Sequence, residues 1–185
     1  MFRLACPLSL LALASLASYV VADGARSFEP TRKHGGNHAP INTRSAEEVV
    51  ATLGLVPNPE KGYFIETFRD TDTCGNRSAS TAIYYLLEGS AGSSLWHRLD
   101  AVEVWHYYAG APLVLSLWGE EGPVRNAILG PDIFDGQMPQ VVIGKREWQS
   151  ARSLGDWTLV GTTVAPGFSE EGVEFAPIGW TPEES

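Results

Sequence analysis

Short runs of aromatic and β-branched residues recur along most of the chain and restrict it to an all-β fold. Clusters of Gly, Pro, Asp and Ser separate these runs at short intervals, a pattern typical of a β-sandwich or β-barrel. About 140 residues suffice for one hydrophobic core but not for two, so we expect a single domain. The predicted strands cover residues 63–69, 81–87, 96–99, 102–108, 113–118, 140–143 and 157–164.

One short helix is predicted before the first strand. Ser45 and Glu48 have the spacing of a capping box, and Gly54 supplies a stop. The domain is therefore expected to cover residues 45–180, followed by a tail at residues 181–185.

The first 22 residues have a different composition from the rest and predict a removable signal peptide. Arg3 precedes an apolar stretch, and small side chains stand before the expected cleavage point at Ala22. A membrane anchor is the alternative, but it needs about 20 uniformly apolar residues, and Pro7 and several serines interrupt this stretch. Residues 23–44 are polar and without periodicity, and predict a disordered leader or linker. We therefore expect a secreted protein that has no membrane contact after cleavage.

Charge and sequence motifs narrow the classes of partner and modification. The net charge is −9 and no basic patch occurs, which excludes the electrostatic attraction that nucleic acid binding requires. Cys74 is the only cysteine after the predicted signal peptide, so no internal disulfide is expected. Asn76 begins an Asn-x-Ser sequon in a polar stretch, which predicts N-glycosylation at that residue.

A histidine and a glutamate in the segment 92–112 have the spacing of a known motif. The segment resembles the first motif of the cupin superfamily, in which a His-x-His pair is followed by Glu and then by Gly. His97 takes the first histidine position, Glu103 the glutamate position and Gly110 the glycine position, whereas Leu99 replaces the second histidine. The second cupin motif falls on residues 144–149, where Gln149 stands in place of its histidine.

A longer likeness extends over residues 53–168. The blocks LGLVPNPEKGYFIETFR, STAIYYLLEG, WHRLDAVEVWHYYAGAPLVL and LVGTTVAPGF resemble, in order and spacing, the small cupins grouped as Cupin 5 or "domain of unknown function 985". The resemblance implies a double-stranded β-helix, which is a jelly-roll barrel, with a ligand pocket inside and assembly as a homodimer. The sequence departs from that family at Asn58, Lys61, Gly144 and Arg146, where His, Gly, Pro and Gly are expected.

Alternation along the strands assigns side chains to the pocket independently of the family. If Glu103 points inward, Trp105 and Tyr107 point inward as well, and His106 points outward. Glu66 and Arg69 lie on opposite faces of their strand, so both face the cavity only if a bulge intervenes. The predicted substrate-binding residues are Gln149, Gln140, Trp105, Glu66 and Tyr85.

Few of the side chains that a cupin metal centre uses are present. Such centres generally present three imidazoles and one carboxylate, a set that suits Fe, Mn, Ni or Zn. Here a metal would have only His97 and Glu103 as strong ligands, with the carbonyl oxygen of Gln149 as a weak third. The sequence therefore predicts a site without a metal cofactor.

The same residues favour acid–base chemistry on a small polar metabolite. An imidazole transfers protons well at mild pH, and a carboxylate on an adjacent strand stabilises its charged form. His97, Glu103 and Tyr107 are the predicted catalytic residues, and the reaction predicted is that of an isomerase, epimerase or lyase. A metal-dependent oxygenase or lyase and a non-catalytic binding module are the alternatives.

Overall fold

The computed structural model describes residues 39–182, so the predicted signal peptide and residues 23–38 of the predicted leader lie outside the described residues. The helix α1 covers Ala46–Leu53. The Ser45 side chain accepts a hydrogen bond from the Glu48 amide, the Glu48 side chain accepts one from the Ser45 amide, and Gly54 ends the helix with φ +67°. The predicted capping box and stop are both confirmed. No helix among the described residues is long and apolar enough to cross a membrane.

The β-strands follow the helix and form two main sheets, as an all-β fold requires. Their bounds are β1 Val56–Pro57, β2 Tyr63–Arg69, β3 Thr73–Cys74, β4 Arg77–Ser78, β5 Thr81–Glu88, β6 His97–Leu99, β7 Val102–Gly110, β8 Leu113–Trp118, β9 Arg125–Leu129, β10 Gln140–Ile143, β11 Trp148–Ser153, β12 Trp157–Ala165 and β13 Val173–Phe175. One sheet has the order β1-β2-β5-β12-β7-β10, the other has the order β13-β6-β11-β8-β9, and β3 and β4 form a separate hairpin. Neighbouring strands within all three sheets are antiparallel. The jelly-roll prediction is confirmed.

The main hydrophobic core lies between the two large sheets. Tyr85 and Leu87 on β5 contribute to it from one sheet, and Leu115 and Leu117 on β8 contribute from the other. The intervening Leu86 joins a second cluster, on the outer face of the first sheet, which α1 covers with Val49. The helix thus seals the outside of the sheet and leaves the space between the sheets for the core and a cavity.

Strand β11 is not among the strands predicted from sequence, although it lies at the centre of its sheet. Its Ser, Ala and Arg residues have little intrinsic preference for strands. Hydrogen bonding to β6 on one side and to β8 on the other holds it in place. This strand carries Gln149, which lies opposite His97 on β6.

Two of the departures from the family pattern occupy backbone conformations that favour glycine. Lys61 has φ +87° and Arg146 has φ +65°, and the family pattern predicts Gly at both positions. A side chain in this region costs roughly 1–2 kcal/mol per residue. The chain therefore tolerates some backbone strain in the turns before β2 and before β11.

We expect the substitution Arg146→Gly to raise the free energy of unfolding by about 1 kcal/mol. The backbone bond from the Arg146 amide to the Leu99 carbonyl survives the change, and the lost ion pair to Glu174 is long, at 3.7 Å, and exposed. Urea denaturation followed by tryptophan fluorescence measures the change. Arg152→Gly, in the exposed part of β11, is the control and should destabilise the protein, because glycine weakens a strand. A loss of stability in both variants would contradict the prediction.

Candidate functional site

A cavity of about 730 Å³ opens between the two sheets. Strands β2, β5, β6, β7, β12 and β13 and the turn before β2 supply its wall. Of the predicted site residues, the structure places five on this wall: His97, Glu103, Trp105, Glu66 and Tyr85. The cavity is therefore built largely around the residues that the first motif and strand alternation indicate.

His97 lies on β6 with its side chain almost completely buried. Its Nδ1 atom is 3.0 Å from the carbonyl oxygen of Leu95. Because a carbonyl only accepts hydrogen bonds, Nδ1 carries a proton and donates it. In the neutral imidazole the lone pair is then on Nε2, which is 3.5 Å from Oε2 of Glu60.

Glu60 is a site residue that the sequence analysis missed. It lies in the turn between β1 and β2, and 18% of its side chain is exposed. Burial raises the pKa of Glu60, the nearby His97 opposes this shift, and the charge of Glu103 adds to it. The carboxyl group is consequently easier to protonate than an ordinary glutamate, beside an imidazole nitrogen that can hold the same proton.

The turn that carries Glu60 is organised by Asn58, another departure from the family pattern. The side-chain oxygen of Asn58 accepts a hydrogen bond from the Glu60 amide at 2.9 Å. The backbone of Asn58 bonds to Lys61 and Gly62. A turn has no periodic pattern that would assign its side chains to a face. The available signal for Glu60 is its place in the stretch LVPNPEKGY, directly before the predicted strand β2.

Glu103 on β7 is held by a chain of buried hydrogen bonds. The indole Nε1 of Trp105 donates to Oε1 of Gln149 at 3.1 Å, and Nε2 of Gln149 donates to Oε2 of Glu103 at 2.7 Å. An indole N–H can only donate, so the amide oxygen of Gln149 must face Trp105 and its NH₂ group must face Glu103. Gln149 thus lies behind the cavity wall and fixes the orientation of the carboxylate.

The bulge that the sequence left open is present in β2. The register against β5 shifts between Glu66 and Phe68, and both Glu66 and Arg69 therefore reach the cavity wall. The guanidinium of Arg69 donates to both oxygens of Glu66, at 2.8 and 2.6 Å. These two side chains form a partly exposed ion pair on the wall.

The structure corrects the expected positions of Tyr107 and Gln140. Tyr107 packs against the main core, away from the cavity, and its hydroxyl donates to the carbonyl oxygen of Gly110 at 2.6 Å. Strand alternation gives its face correctly but does not say how far along the strand the cavity extends. Gln140 is exposed on the edge strand β10, opposite His106 on β7.

Tyr85 remains on the cavity wall as a candidate substrate-binding residue. Its hydroxyl donates to the carbonyl oxygen of Lys61 at 3.1 Å, and its ring meets that of Trp105 edge to face at 5.8 Å. Burial, followed by the charge of Glu60, strongly raises the pKa of Tyr85. The hydroxyl therefore keeps its proton and acts as a donor.

Comparison with known proteins places this geometry in a family. The family described as Cupin superfamily (DUF985) matches residues 47–176. The chain belongs to this cupin family. No curated protein matches it in sequence.

Solved structures share the cupin fold over most of the domain. The crystal structure of a Shewanella oneidensis protein is 30% identical, with 72% of this chain and 85% of that chain covered and a TM-score of 0.68. A hypothetical protein from Leishmania major is 27% identical, with 71% and 86% covered and a TM-score of 0.67. A variant of oxalate decarboxylase from Bacillus subtilis is 13% identical, with 65% and 29% covered and a TM-score of 0.50, and shares the fold alone.

The donor set of this cupin does not fit the metal centre that the fold implies. Leu99 occupies the position of one expected imidazole. The side-chain oxygen of Gln149 accepts a hydrogen bond from Trp105, and its NH₂ group donates one to Glu103. Within residues 39–182, no group of three or more His, Cys, Asp or Glu side chains is arranged to hold a metal ion. Gln149, at the histidine position of the second motif, orients Glu103 instead.

Proposed function

We propose that this protein is a secreted cupin that binds a small polar metabolite in its barrel and performs acid–base chemistry on it without a metal. The reaction class is that of an isomerase, an epimerase or a lyase. The contact between Nε2 of His97 and Oε2 of Glu60, at 3.5 Å inside the cavity, is the observation that carries the proposal.

The pair is suited to moving one proton to or from a bound molecule. Nδ1 of His97 donates its hydrogen bond to the Leu95 carbonyl, so Nε2 is the ring nitrogen that exchanges a proton with a molecule in the cavity. Burial makes the Glu60 carboxyl a weaker acid, with its pKa above the ordinary value. The Glu60 carboxyl can therefore hold a proton beside Nε2 of His97, and either group can act as acid or base in turn.

The remaining wall residues give the substrate its orientation in this proposal. Glu103, held by Gln149, offers a fixed acceptor. Glu66 and Arg69 form the ion pair at the wall and supply both a donor and acceptors. Trp105 and Tyr85 supply apolar surface, which together with a few directed polar groups is typical of a metabolite site.

Deuterium exchange tests the proposal before the substrate is identified. The purified protein is incubated in D₂O with panels of sugars, hydroxy acids and amino compounds, and proton NMR detects loss of a C–H signal. An acid–base enzyme of this kind exchanges the carbon-bound proton that it removes. We expect deuterium exchange in at least one compound. The rate of this exchange should change neither when a divalent metal is added nor when a chelator is added. Compounds that bind without exchange would instead favour the non-catalytic binding module.

Secretion and glycosylation are part of the same proposal. Asn76 is exposed in the tight turn between β3 and β4, where its side chain is accessible to a glycosylating enzyme. We expect the protein secreted from a eukaryotic host to lose mass on treatment with an N-glycosidase, and the Asn76→Gln variant to show no such loss. An intact Asn76 without glycan on the secreted protein would contradict this prediction.

A further inference from the structure

We propose that the molecule bound in this cavity carries a protonated amine, and that Glu103 is its counter-ion. The inference rests on the proposed function only in using the same ligand site. It concerns the charge of the ligand and not the reaction.

Among the acidic side chains that line the cavity, Glu103 and Glu170 have no basic partner within the described residues, and Glu103 is the buried one of the two, whereas Glu170 is exposed. Glu66 is paired with Arg69, and Glu60 lies against His97. Glu103 is only 6% exposed, and within residues 39–182 no cationic side chain forms an ion pair with it. Its hydrogen bond from the neutral amide of Gln149 reaches Oε2 and leaves Oε1 for the cavity.

A carboxylate buried without a cation is costly, and proteins normally pair such groups. Here one oxygen has a donor and the carboxylate lines an open cavity. A protonated amine at Oε1 would supply the missing positive charge together with a charge-assisted hydrogen bond, which is roughly twice as strong as a neutral one. A neutral hydroxyl would supply only the weaker bond.

The surroundings of Glu103 also discriminate against an anion. The acidic side chain of Glu60 lines the same cavity, so an anion beside Glu103 would meet two acidic groups, and like charges disfavour each other. Aromatic rings complete the wall, among them Tyr85, Trp105 and Phe175. Aromatic rings attract organic cations, so carboxylate and rings favour the same class of ligand.

A metal ion is a poor alternative source of the positive charge. A divalent ion needs several donors to replace its water shell, and the side-chain oxygen of Gln149 is already bonded to Trp105. A protonated amine donates one N–H to the carboxylate oxygen and can keep water on its other N–H groups, because the cavity is open.

Three probes that differ in charge test the inference: benzylamine, benzyl alcohol and benzoate. Each carries the same ring, so calorimetric titration of the full secreted protein at pH 7 reports the effect of the charged group. We expect the amine to bind about tenfold or more tightly than the alcohol, and benzoate to bind more weakly than both. Equal affinities, tighter binding of benzoate, or no measurable binding of the amine would overturn the inference.

Substitution then assigns the selectivity to one residue. Glu103→Gln removes the charge, keeps the shape and can still accept from Gln149, so it should lower the affinity for benzylamine about tenfold and leave that for benzyl alcohol within about twofold. Glu121→Gln changes the net charge equally at an exposed residue outside the cavity and should have no effect. An unchanged preference for the amine in Glu103→Gln would contradict the assignment.

The acid–base function and the preference for an amine can be refuted independently of each other. Deuterium exchange without amine selectivity would remove the inference about Glu103 and leave the acid–base function intact. Amine selectivity without any exchange would remove the catalytic function and leave a binding protein for amines. If Glu103→Gln does not fold, the probe series on the unaltered protein still decides the question.

Discussion

Replacing Gln149 with leucine is expected to lower the free energy of unfolding by about 3–5 kcal/mol. Leucine has a similar size, but it offers neither an acceptor to Trp105 Nε1 nor a donor to Oε2 of Glu103, and both bonds are buried. The indole N–H loses its partner and the carboxylate loses its donor at the same time. Urea denaturation, followed by tryptophan fluorescence and by circular dichroism, measures the loss.

Gln140→Leu is the matched control because it makes the same substitution at a different depth. Gln140 is exposed on the edge strand β10, so its replacement should change the free energy of unfolding by no more than about 0.5 kcal/mol. A change in Gln149→Leu as small as in this control would mean that the hydrogen-bond chain does not stabilise the fold.

Strand alternation predicts the face of a residue but not its position along the barrel. On β7 it places Glu103 and Trp105 together and inward, and the structure agrees. It also assigns Tyr107 correctly to the inner side, where that ring packs on the closed core and not on the cavity. The boundary between core and cavity depends on how the two sheets pack, which no single strand encodes.

The bulge in β2 shows a second limit of the same reasoning. Alternation with a period of two residues places Glu66 and Arg69 on opposite faces of the strand. A single extra residue between Glu66 and Phe68 brings the two side chains to the same face. The sequence identifies the bulge as the condition for this pairing, but the local residues do not require one. The bidentate contact between the two side chains becomes visible only in the folded sheet.

The sequence does not predict that Glu60 lines the cavity or how the Gln149 side chain is oriented, and the reason is different. Glu60 lies in a turn whose shape depends on a side-chain bond from Asn58 and on contacts with distant residues. Gln149 lies on a strand with weak strand preference, held by neighbours on both sides. In both cases tertiary contacts, and not local preference, determine where the side chain points.

For catalysis we expect His97→Gln to lower the rate of deuterium exchange by about 10²–10⁴-fold for any compound that the unaltered protein exchanges. Glutamine keeps a donor for the Leu95 carbonyl and a similar volume, but it has no nitrogen able to take up a proton as Nε2 does. Binding of the same compound, measured by calorimetry, should change much less, because the wall formed by Glu103, Trp105 and Tyr85 is retained.

Two further variants separate the proton-transfer role of His97 from a structural one. His106→Gln makes the same substitution on β7 at a residue outside the cavity wall, and its exchange rate should stay within about twofold of that of the unaltered protein. Glu60→Gln should remove from the pH–rate profile the limb that belongs to the Glu60 carboxyl, whose pKa burial raises. A His97→Gln protein that is folded and exchanges at the original rate would refute the acid–base mechanism, because Nε2 would then have no part in moving the proton.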